Sequence, residues 1–450
     1  MPTTVPLMST PMSPTPDGAS HDRPWGFRTR AIHAGARPDP VTGARAVPIY
    51  QTTSFVFEDT ADAADLFALQ KYGSIYSRIG NPTVNAFEER MASLEGGIGA
   101  VATASGQAAQ FCTVACLVDA GDHIVSSASL YGGTTTQLDV SFRRLGVDTT
   151  FVPGDDPAAF AAAITDRTKL LFTEVVANPS GIVADVAALA DIAHAHGLPL
   201  VVDATTVTPR LCRPIEHGAD IVVHSATKFI GGHGTSLGGV VVESGRFDWG
   251  NGKFAHFTEP VASYGGLRYW ENFGEYAFCT KLRVEQLRDI GACLSPFNAF
   301  LLLQGLETLP LRMAAHVANA MIIAPWLEAH PAVSWVRYAG LESSPYHELG
   351  RRYLPQGVGA VLAFGVKGGR AAGARFIESL ELVSHLANIG DAKTLVIHPA
   401  STTHQQLTDA QLQAAGVGPD LIRLSVGIED PEDICWDLDQ ALLAAQKGGD

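Results

Sequence analysis

The chain of 450 residues has few positive charges and no cluster of them. Lys and Arg number 31 against 46 Asp and Glu, which gives a formal net charge of -15. Because binding to nucleic acid requires clustered cations, no nucleic-acid partner is expected. No run of 18 apolar residues is present, so we expect no membrane span. With 46% apolar residues, the composition instead predicts a globular chain of two or three domains.

The sequence has only six cysteines, and none forms a Cys-x-x-Cys pair. In a chain of this length they are typical of reduced core thiols, which predicts a cytoplasmic protein. There is no His-Glu-x-x-His motif. His194 and His196 are two residues apart on a predicted helix, so they point to different faces, and we predict no metal site.

Regular patterning begins only near residue 81. Residues 1–28 are rich in Pro, Ser and Thr without an apolar segment, which predicts a disordered tail rather than a signal peptide. Residues 29–80 predict an extended arm. Over 81–329, short apolar strands alternate with helices, which predicts an α/β domain with a mostly parallel sheet. Residues 330–450 predict a smaller α+β domain.

Within these domains Thr83 is the predicted N-cap of the first helix and Gly96 its stop, and a helical stretch is predicted from about Glu271 to Ala329. The predicted strands are His123–Ser126, Lys169–Glu174, Leu198–Asp203, Asp220–Val223, Gly239–Glu243, Val333–Val336, Ala360–Phe364 and Leu421–Ser425.

Lys228 lies between a β-branched strand and a glycine-rich stretch. A lysine there is poorly solvated, so its pKa should fall, and such an amine is suited to form a Schiff base with a carbonyl group. Asp203 ends another strand, and ligands bind beyond the carboxyl ends of parallel strands. A lysine and a carboxylate at adjacent strand ends match what pyridoxal phosphate requires. The alternatives are a surface lysine and a helix-capping aspartate.

Several weaker signals fit the phosphate and ring of that cofactor. Gly106 and Gln107 lie where a strand leads into a helix, whose N-terminus favours an anion. Hydroxyls, a phenol and a guanidinium are offered by Ser225, Thr227, Tyr76 and Arg78. Tyr131, followed by two glycines, has a ring that can stack on a flat cofactor. Each is also compatible with an ordinary turn, surface or core residue.

Taken together, Ser225-Ala-Thr-Lys-Phe-Ile-Gly-Gly-His-Gly234, Tyr76-Ser-Arg78 and Asn81-Pro-Thr83 resemble the Cys/Met metabolism family of pyridoxal-phosphate enzymes. The resemblance runs from about Thr29 to Leu443. It implies the PLP-dependent transferase fold (type I, aspartate-aminotransferase-like) of the α/β class. It also implies a homotetramer, built as a dimer of dimers, whose sites share residues between subunits.

The resemblance assigns roles to individual residues. Lys228 would form the Schiff base and move protons, with Tyr131 stacked on the ring and assisting. Asp203 would pair with the ring nitrogen, and Asn178 would contact the phenolic oxygen. Arg423, with Asn388 close by, would bind the substrate carboxylate. The remaining cofactor contacts would come from Gly106, Gln107, Thr205, Ser225 and Thr227, and, from the neighbouring subunit, Tyr76 and Arg78.

Four further segments, Pro48–Phe57, Ser295–Glu307, Asn388–His404 and Arg423–Asp430, resemble the branch of the family that acts on O-acetyl-L-homoserine and sulfide. This implies γ-replacement to L-homocysteine and acetate in methionine biosynthesis. The alternatives are cystathionine γ-synthesis, O-acetylserine or O-succinylhomoserine as the ester, and γ-elimination.

Two positions depart from the pattern of the family. Asp203-Ala-Thr-Thr206 replaces the more common Asp-Asn-Thr-Phe, and Gly133 stands where methionine γ-lyase has cysteine. The second departure argues mildly against γ-lyase activity. Outside the family, a nucleotide-binding loop at Gly231–Gly239 is disfavoured, because Lys228 precedes the glycines and neither standard spacing fits. The retained Lys228, Asp203, Arg78 and Arg423 argue against a non-catalytic scaffold.

Overall fold

The computed structural model describes residues 24–402 and 417–447. Its larger sheet has seven strands in the order β1-β7-β6-β5-β4-β2-β3. The antiparallel pairings are those of β7 with β1 and β6, and the other neighbours are parallel. The predicted α/β class with a mostly parallel sheet is therefore confirmed. The strands are β1 (Gly99–Thr103), β2 (His123–Ser127), β3 (Asp148–Val152), β4 (Thr168–Glu174), β5 (Leu200–Asp203), β6 (Ile221–His224) and β7 (Gly239–Glu243).

A second sheet has five strands in the order β10-β11-β12-β9-β8 and is mainly antiparallel. Its strands are β8 (Val333–Arg337), β9 (Val361–Val366), β10 (Ser384–His385), β11 (Leu395–Ile397) and β12 (Leu421–Ser425). All eight predicted strands are present, with ends shifted by at most two residues.

Helices cover both faces of the larger sheet. Every residue of β5, β6 and β7 is buried, as expected of strands packed on both faces. The α-helices are α1 (Phe27–His33), α2 (Thr60–Phe67), α3 (Pro82–Glu95), α4 (Gly106–Leu117), α5 (Gly132–Thr136), α6 (Pro157–Ala163), α7 (Val186–Ala195), α8 (Thr208–Leu211), α9 (Ala255–Thr258), α10 (Tyr269–Phe273), α11 (Ala277–Lys281), α12 (Arg288–Ile290), α13 (Pro296–Ala329), α14 (His347–Tyr353), α15 (Gly369–Glu378) and α16 (Pro431–Gln446).

Helix α13 connects the two sheets. It is 34 residues long, packs on α3 and on β8 and β9, and ends at Ala329 as predicted. The predicted helical stretch before it is interrupted, because Gly291 adopts φ 81° and ends α12. No helix in the described residues has the length and apolar character that crossing a membrane requires.

The N-cap predicted for α3 was wrong. Asn81 occupies that position, and its side chain accepts a hydrogen bond from the N–H of Thr83 at 3.0 Å. Thr83 instead donates its hydroxyl to the Pro48 carbonyl at 2.7 Å, which ties the arm to this helix. Gly96 ends α3 with φ 82°, as predicted.

The arm predicted over 29–80 contains α2 and most of α1, and is otherwise without helix or regular strand. Most of the predicted tail, residues 1–23, lies outside the described residues, and so do Thr403 and His404. The domain boundaries at 28, 80 and 329 stay a prediction.

Candidate active site

The strand order places the carboxyl ends of β4, β5 and β6 side by side, and a cavity of about 190 Å³ lies beyond them. All predicted site residues except Tyr76 and Arg78 line this cavity. The predicted residues that line it are Gly106, Gln107, Tyr131, Asn178, Asp203, Thr205, Ser225, Thr227, Lys228, Asn388 and Arg423.

Lys228 follows β6 by four residues and extends into this cavity. Its Nζ donates a hydrogen bond to Asn388 Oδ1 at 2.6 Å. Burial, aided by the positive charge of Arg423, lowers the pKa of Lys228 to about 8. The expected fall in pKa is thus present, and at neutral pH an appreciable fraction of this amine is uncharged and nucleophilic.

Asp203 ends β5 and is 9% exposed. Its Oδ2 accepts a hydrogen bond from Gln110 Nε2 at 2.7 Å, and its Oδ1 accepts the Thr205 N–H at 2.8 Å. Burial raises the pKa of Asp203, while the hydrogen bonds from Thr205 and Gln110 oppose this rise. A ring nitrogen that carries a proton would give this buried carboxylate its missing cation.

The N-terminus of α4 lies close to the segment that follows β6. A methyl group on Gly106 would lie 2.5 Å from Cβ of Ser225, so only glycine permits this approach. The first N–H groups of a helix have no acceptor within the helix and favour an anion. Thr205 fixes the neighbouring backbone, because its Oγ1 accepts the Ser225 N–H at 2.8 Å. Thr227 Oγ1 accepts the Gly238 N–H at 3.0 Å.

Glu174 is a site residue that the sequence reasoning missed. It ends β4, pairs directly with Asp203 on β5 and is 6% exposed. Its Oε1 accepts the N–H of Tyr131 at 2.6 Å, and its Oε2 accepts the N–H of Asn178 at 3.1 Å. Its position at the carboxyl end of a strand is the signal that could have identified it, because the same position identified Asp203.

Arg423, on β12, comes from the second sheet. Its Nη2 donates to the Asn388 carbonyl at 2.9 Å, and its buried Nε has no acceptor. Burial lowers the pKa of this guanidinium to about 10. The free Nε is suited to a ligand carboxylate, which guanidinium groups bind in bidentate fashion.

Tyr76 and Arg78 do not reach this cavity within the chain. The Arg78 guanidinium lies 5.3 Å from the centre of the exposed Tyr76 ring. Their predicted role in a neighbouring subunit's site stays a prediction.

Both departures from the family pattern have a structural counterpart. Thr206 is buried and donates its hydroxyl to the Val176 carbonyl at 3.0 Å. A side chain on Gly133 would place Cβ 2.5 Å from the Tyr131 ring and 3.0 Å from Gln107 Nε2. A cysteine there would force the ring to move, so glycine permits the position that the ring occupies.

Within the described residues, no group of three or more His, Cys, Asp or Glu side chains is arranged to hold a metal. His194 instead lies 2.8 Å from Asp220, and His196 lies 2.9 Å from the Ile192 carbonyl.

The residues present fit pyridoxal phosphate. The cavity supplies an amine, a buried carboxylate, a helix N-terminus and a tyrosine ring, and two of its lining residues, Asn178 and Arg423, have buried polar atoms without partners. Together with the mostly parallel sheet, these features define a pyridoxal-phosphate-dependent enzyme. Residues 28–443 match the model of the Cys/Met metabolism PLP-dependent enzymes, and the chain belongs to this family.

The chain is similar to named proteins over nearly its whole length. It is 50% identical to an O-acetyl-L-homoserine sulfhydrylase of Leptospira meyeri, over 95% of this chain and 99% of that one. It is 48% identical to a homocysteine/cysteine synthase of Saccharomyces cerevisiae, over 94% and 100%.

The fold is similar to that of a crystal structure from Campylobacter jejuni, provisionally named an O-acetylhomoserine (thiol)-lyase, which contains N'-pyridoxyl-lysine-5'-monophosphate. The TM-score is 0.90 at 37% identity, and the match covers 93% of this chain and all of that one. The expected PLP-dependent transferase fold is therefore confirmed.

Proposed function

We propose that the protein converts O-acetyl-L-homoserine and sulfide to L-homocysteine and acetate, as a step of methionine biosynthesis. The observation that carries this proposal is one cavity that the Lys228 amine, the Asp203 carboxylate and the Arg423 guanidinium line together. That arrangement suits an amino-acid substrate on a pyridine cofactor. The names of the two sulfur-transferring relatives support the particular reaction.

When bound, pyridoxal phosphate supplies an electron-poor ring that takes up the electron pair released at the substrate Cα. Asp203 would hold the proton on the ring nitrogen. Lys228 Nζ, as a neutral amine, takes the proton from Cα and then moves a proton at Cβ. Acetate departs from Cγ, and hydrosulfide adds at the same carbon, so atoms and charge balance.

The other residues bind and orient. Arg423 pairs with the α-carboxylate, and Asn388, which holds Lys228 Nζ at 2.6 Å, directs that amine. Tyr131 would stack on the ring and assist proton transfer. Asn178 would contact the phenolic oxygen. The N-terminus of α4 and the hydroxyls that follow β6 would hold the phosphate.

The charges in the cavity favour an acetyl ester over a succinyl ester. Among the residues that line it, Lys228 and Arg423 carry the positive charges. With Arg423 on the α-carboxylate, the terminal carboxylate of O-succinylhomoserine has no second arginine to pair with among the residues that line the cavity, and an unpaired buried carboxylate is costly. O-Acetylserine stays a second candidate ester, because the yeast relative is named for both homocysteine and cysteine synthesis.

We further propose a homotetramer, a dimer of dimers, in the cytoplasm. The placement of Tyr76 and Arg78 outside their own chain's cavity supports a shared site. Six free cysteines, four of them buried, are typical of a reducing compartment.

The test is to incubate the purified protein with sulfide and, separately, O-acetylhomoserine, O-acetylserine or O-succinylhomoserine. The proposal is supported if O-acetylhomoserine is converted fastest and its product is homocysteine; O-acetylserine would give cysteine instead. Parallel reactions with cysteine in place of sulfide, and with no nucleophile, detect cystathionine synthesis and γ-elimination. A colourless protein that is unlabelled at Lys228 after borohydride reduction would overturn the cofactor chemistry altogether.

A further inference from the structure

Glu174 is a buried carboxylate in the candidate site that the proposed reaction does not use. Its side chain points to the same face as that of Asp203, because the two residues pair directly on adjacent parallel strands. No lysine or arginine pairs with it in the described part of the chain. It accepts hydrogen bonds from two backbone N–H groups, those of Tyr131 and Asn178.

Those two N–H groups belong to different loops. Tyr131 is the residue before α5, in the loop after β2, and Asn178 is in the loop after β4. One carboxylate therefore joins both loops to the end of the same strand. The side chains that the loops carry are the ring expected to stack on the cofactor and the amide expected to meet its phenolic oxygen.

The arrangement is energetically demanding. Burial, together with the negative charge of Asp203, raises the pKa of Glu174 well above its ordinary value, and the two N–H bonds oppose this rise. A buried carboxyl beside another carboxyl is costly unless its hydrogen bonds are retained. An apolar residue would avoid that cost but would leave two buried N–H groups without acceptors.

We propose that Glu174 is a positioning residue, which fixes the two loops that carry the Tyr131 ring and the Asn178 amide by accepting the backbone N–H groups of both residues. The inference rests on the proposed cofactor site and adds to it a residue that acts through Tyr131 and Asn178. Without the carboxylate, the N–H groups of Tyr131 and Asn178 would each lose the hydrogen bond that joins them to the end of β4.

The test is Glu174→Gln, which keeps the shape of the side chain but can accept only one of the two N–H groups through its single carbonyl oxygen. The matched control is Asp437→Asn. Asp437 is also a buried carboxylate that accepts backbone N–H groups, from Glu381, Leu382 and Val383, but it lies on α16 away from the cavity.

Visible circular dichroism of the bound cofactor, the cofactor dissociation constant and the unfolding temperature are measured for each protein. Glu174→Gln should weaken the visible dichroic band and raise the dissociation constant on the order of tenfold. Asp437→Asn should lower the unfolding temperature while leaving both cofactor readings at wild-type values. Equal cofactor readings for the two variants would overturn the proposal.

A double-mutant cycle with Tyr131→Ala separates positioning from general destabilisation. If Glu174 acts through Tyr131, its effect on the dichroic band should be smaller once the ring is absent. An undiminished effect would overturn the proposal. If Glu174→Gln does not fold, Glu174→Asp replaces it, because aspartate keeps both acceptor oxygens on a shorter side chain. This variant must also weaken the dichroic band.

The two proposals fail in distinguishable ways. A wild-type protein without a cofactor band would remove the proposed function itself. A wild-type protein that binds the cofactor and forms homocysteine, beside a Glu174→Gln variant with wild-type readings, would remove only the role of Glu174.

Discussion

Replacing Arg423 by alanine is expected to lower kcat/KM for O-acetylhomoserine by two to three orders of magnitude. The guanidinium has a buried Nε without an acceptor, while Nη2 is engaged with the Asn388 carbonyl at 2.9 Å. A bidentate contact to the α-carboxylate would add two charge-assisted hydrogen bonds, and losing both costs about 3 to 4 kcal/mol, which corresponds to about 10²- to 10³-fold. Arg423→Lys keeps the charge but loses the planar fork, so about tenfold is expected.

The assay compares steady-state rates with O-acetylhomoserine and with 3-aminopropyl acetate, which lacks the carboxylate. The loss in Arg423→Ala should appear with the first ester and largely vanish with the second. The matched control is Arg375→Ala, because Arg375 also donates to a backbone carbonyl, that of Ala445, but lies on α15 away from the cavity. An equal loss with both esters would refute the assignment of Arg423 to the substrate carboxylate.

Three further predictions concern the cofactor end of the site. Asp203→Asn should lower kcat by about 10²-fold or more with the cofactor still bound, because the ring nitrogen loses its counter-ion. Asp220→Asn, at the residue before β6, is the control and should affect stability alone; equal kcat values for the two variants would contradict the pairing of Asp203 with the ring nitrogen. In cofactor-free protein the folded state loses the Lys228 proton near pH 8 and the unfolded state only near 10.5. The free energy of unfolding of the wild type should therefore rise relative to that of Lys228→Met as the pH increases between these values, by at most about 3 kcal/mol. If chemical unfolding gives the same difference between the two proteins at every pH, the lowered pKa of Lys228 would be refuted. Gly106→Ala should weaken cofactor binding about tenfold or more, since its methyl would collide with the serine after β6; Gly26→Ala, whose methyl meets open space, is the control in the same equilibrium titration.

The sequence predicted the centre of the site well, because that centre depends on short-range patterns. Buried β-branched strands end at Asp203 and just before Lys228, and parallel strands place such ends at one edge. The sequence likewise placed Gly106 where a strand leads into a helix, and the structure adds that a side chain there would collide with Ser225.

The parts that were not predicted depend on contacts between distant segments. Glu174 gains its role from backbone N–H groups in two separate loops, and no local pattern encodes them. Thr83 was predicted as the N-cap of α3 because it is a capping residue type beside Pro82. In the structure Asn81 caps the helix, and the Thr83 hydroxyl donates to the carbonyl of Pro48, 35 residues away.

The cofactor half and the substrate half of the site come from different sheets, so substitutions in the two halves should have different effects on cofactor and substrate binding. The residues expected to hold the cofactor follow strands of the larger sheet, whereas the substrate residues Asn388 and Arg423 belong to the region of the second sheet. The hydrogen bond from Lys228 to Asn388 joins the two halves. A change at Arg423 should therefore leave cofactor affinity near its wild-type value while it weakens the substrate, and a change at Asn388 should disturb both, because it alters the environment of the amine that serves cofactor and substrate in turn.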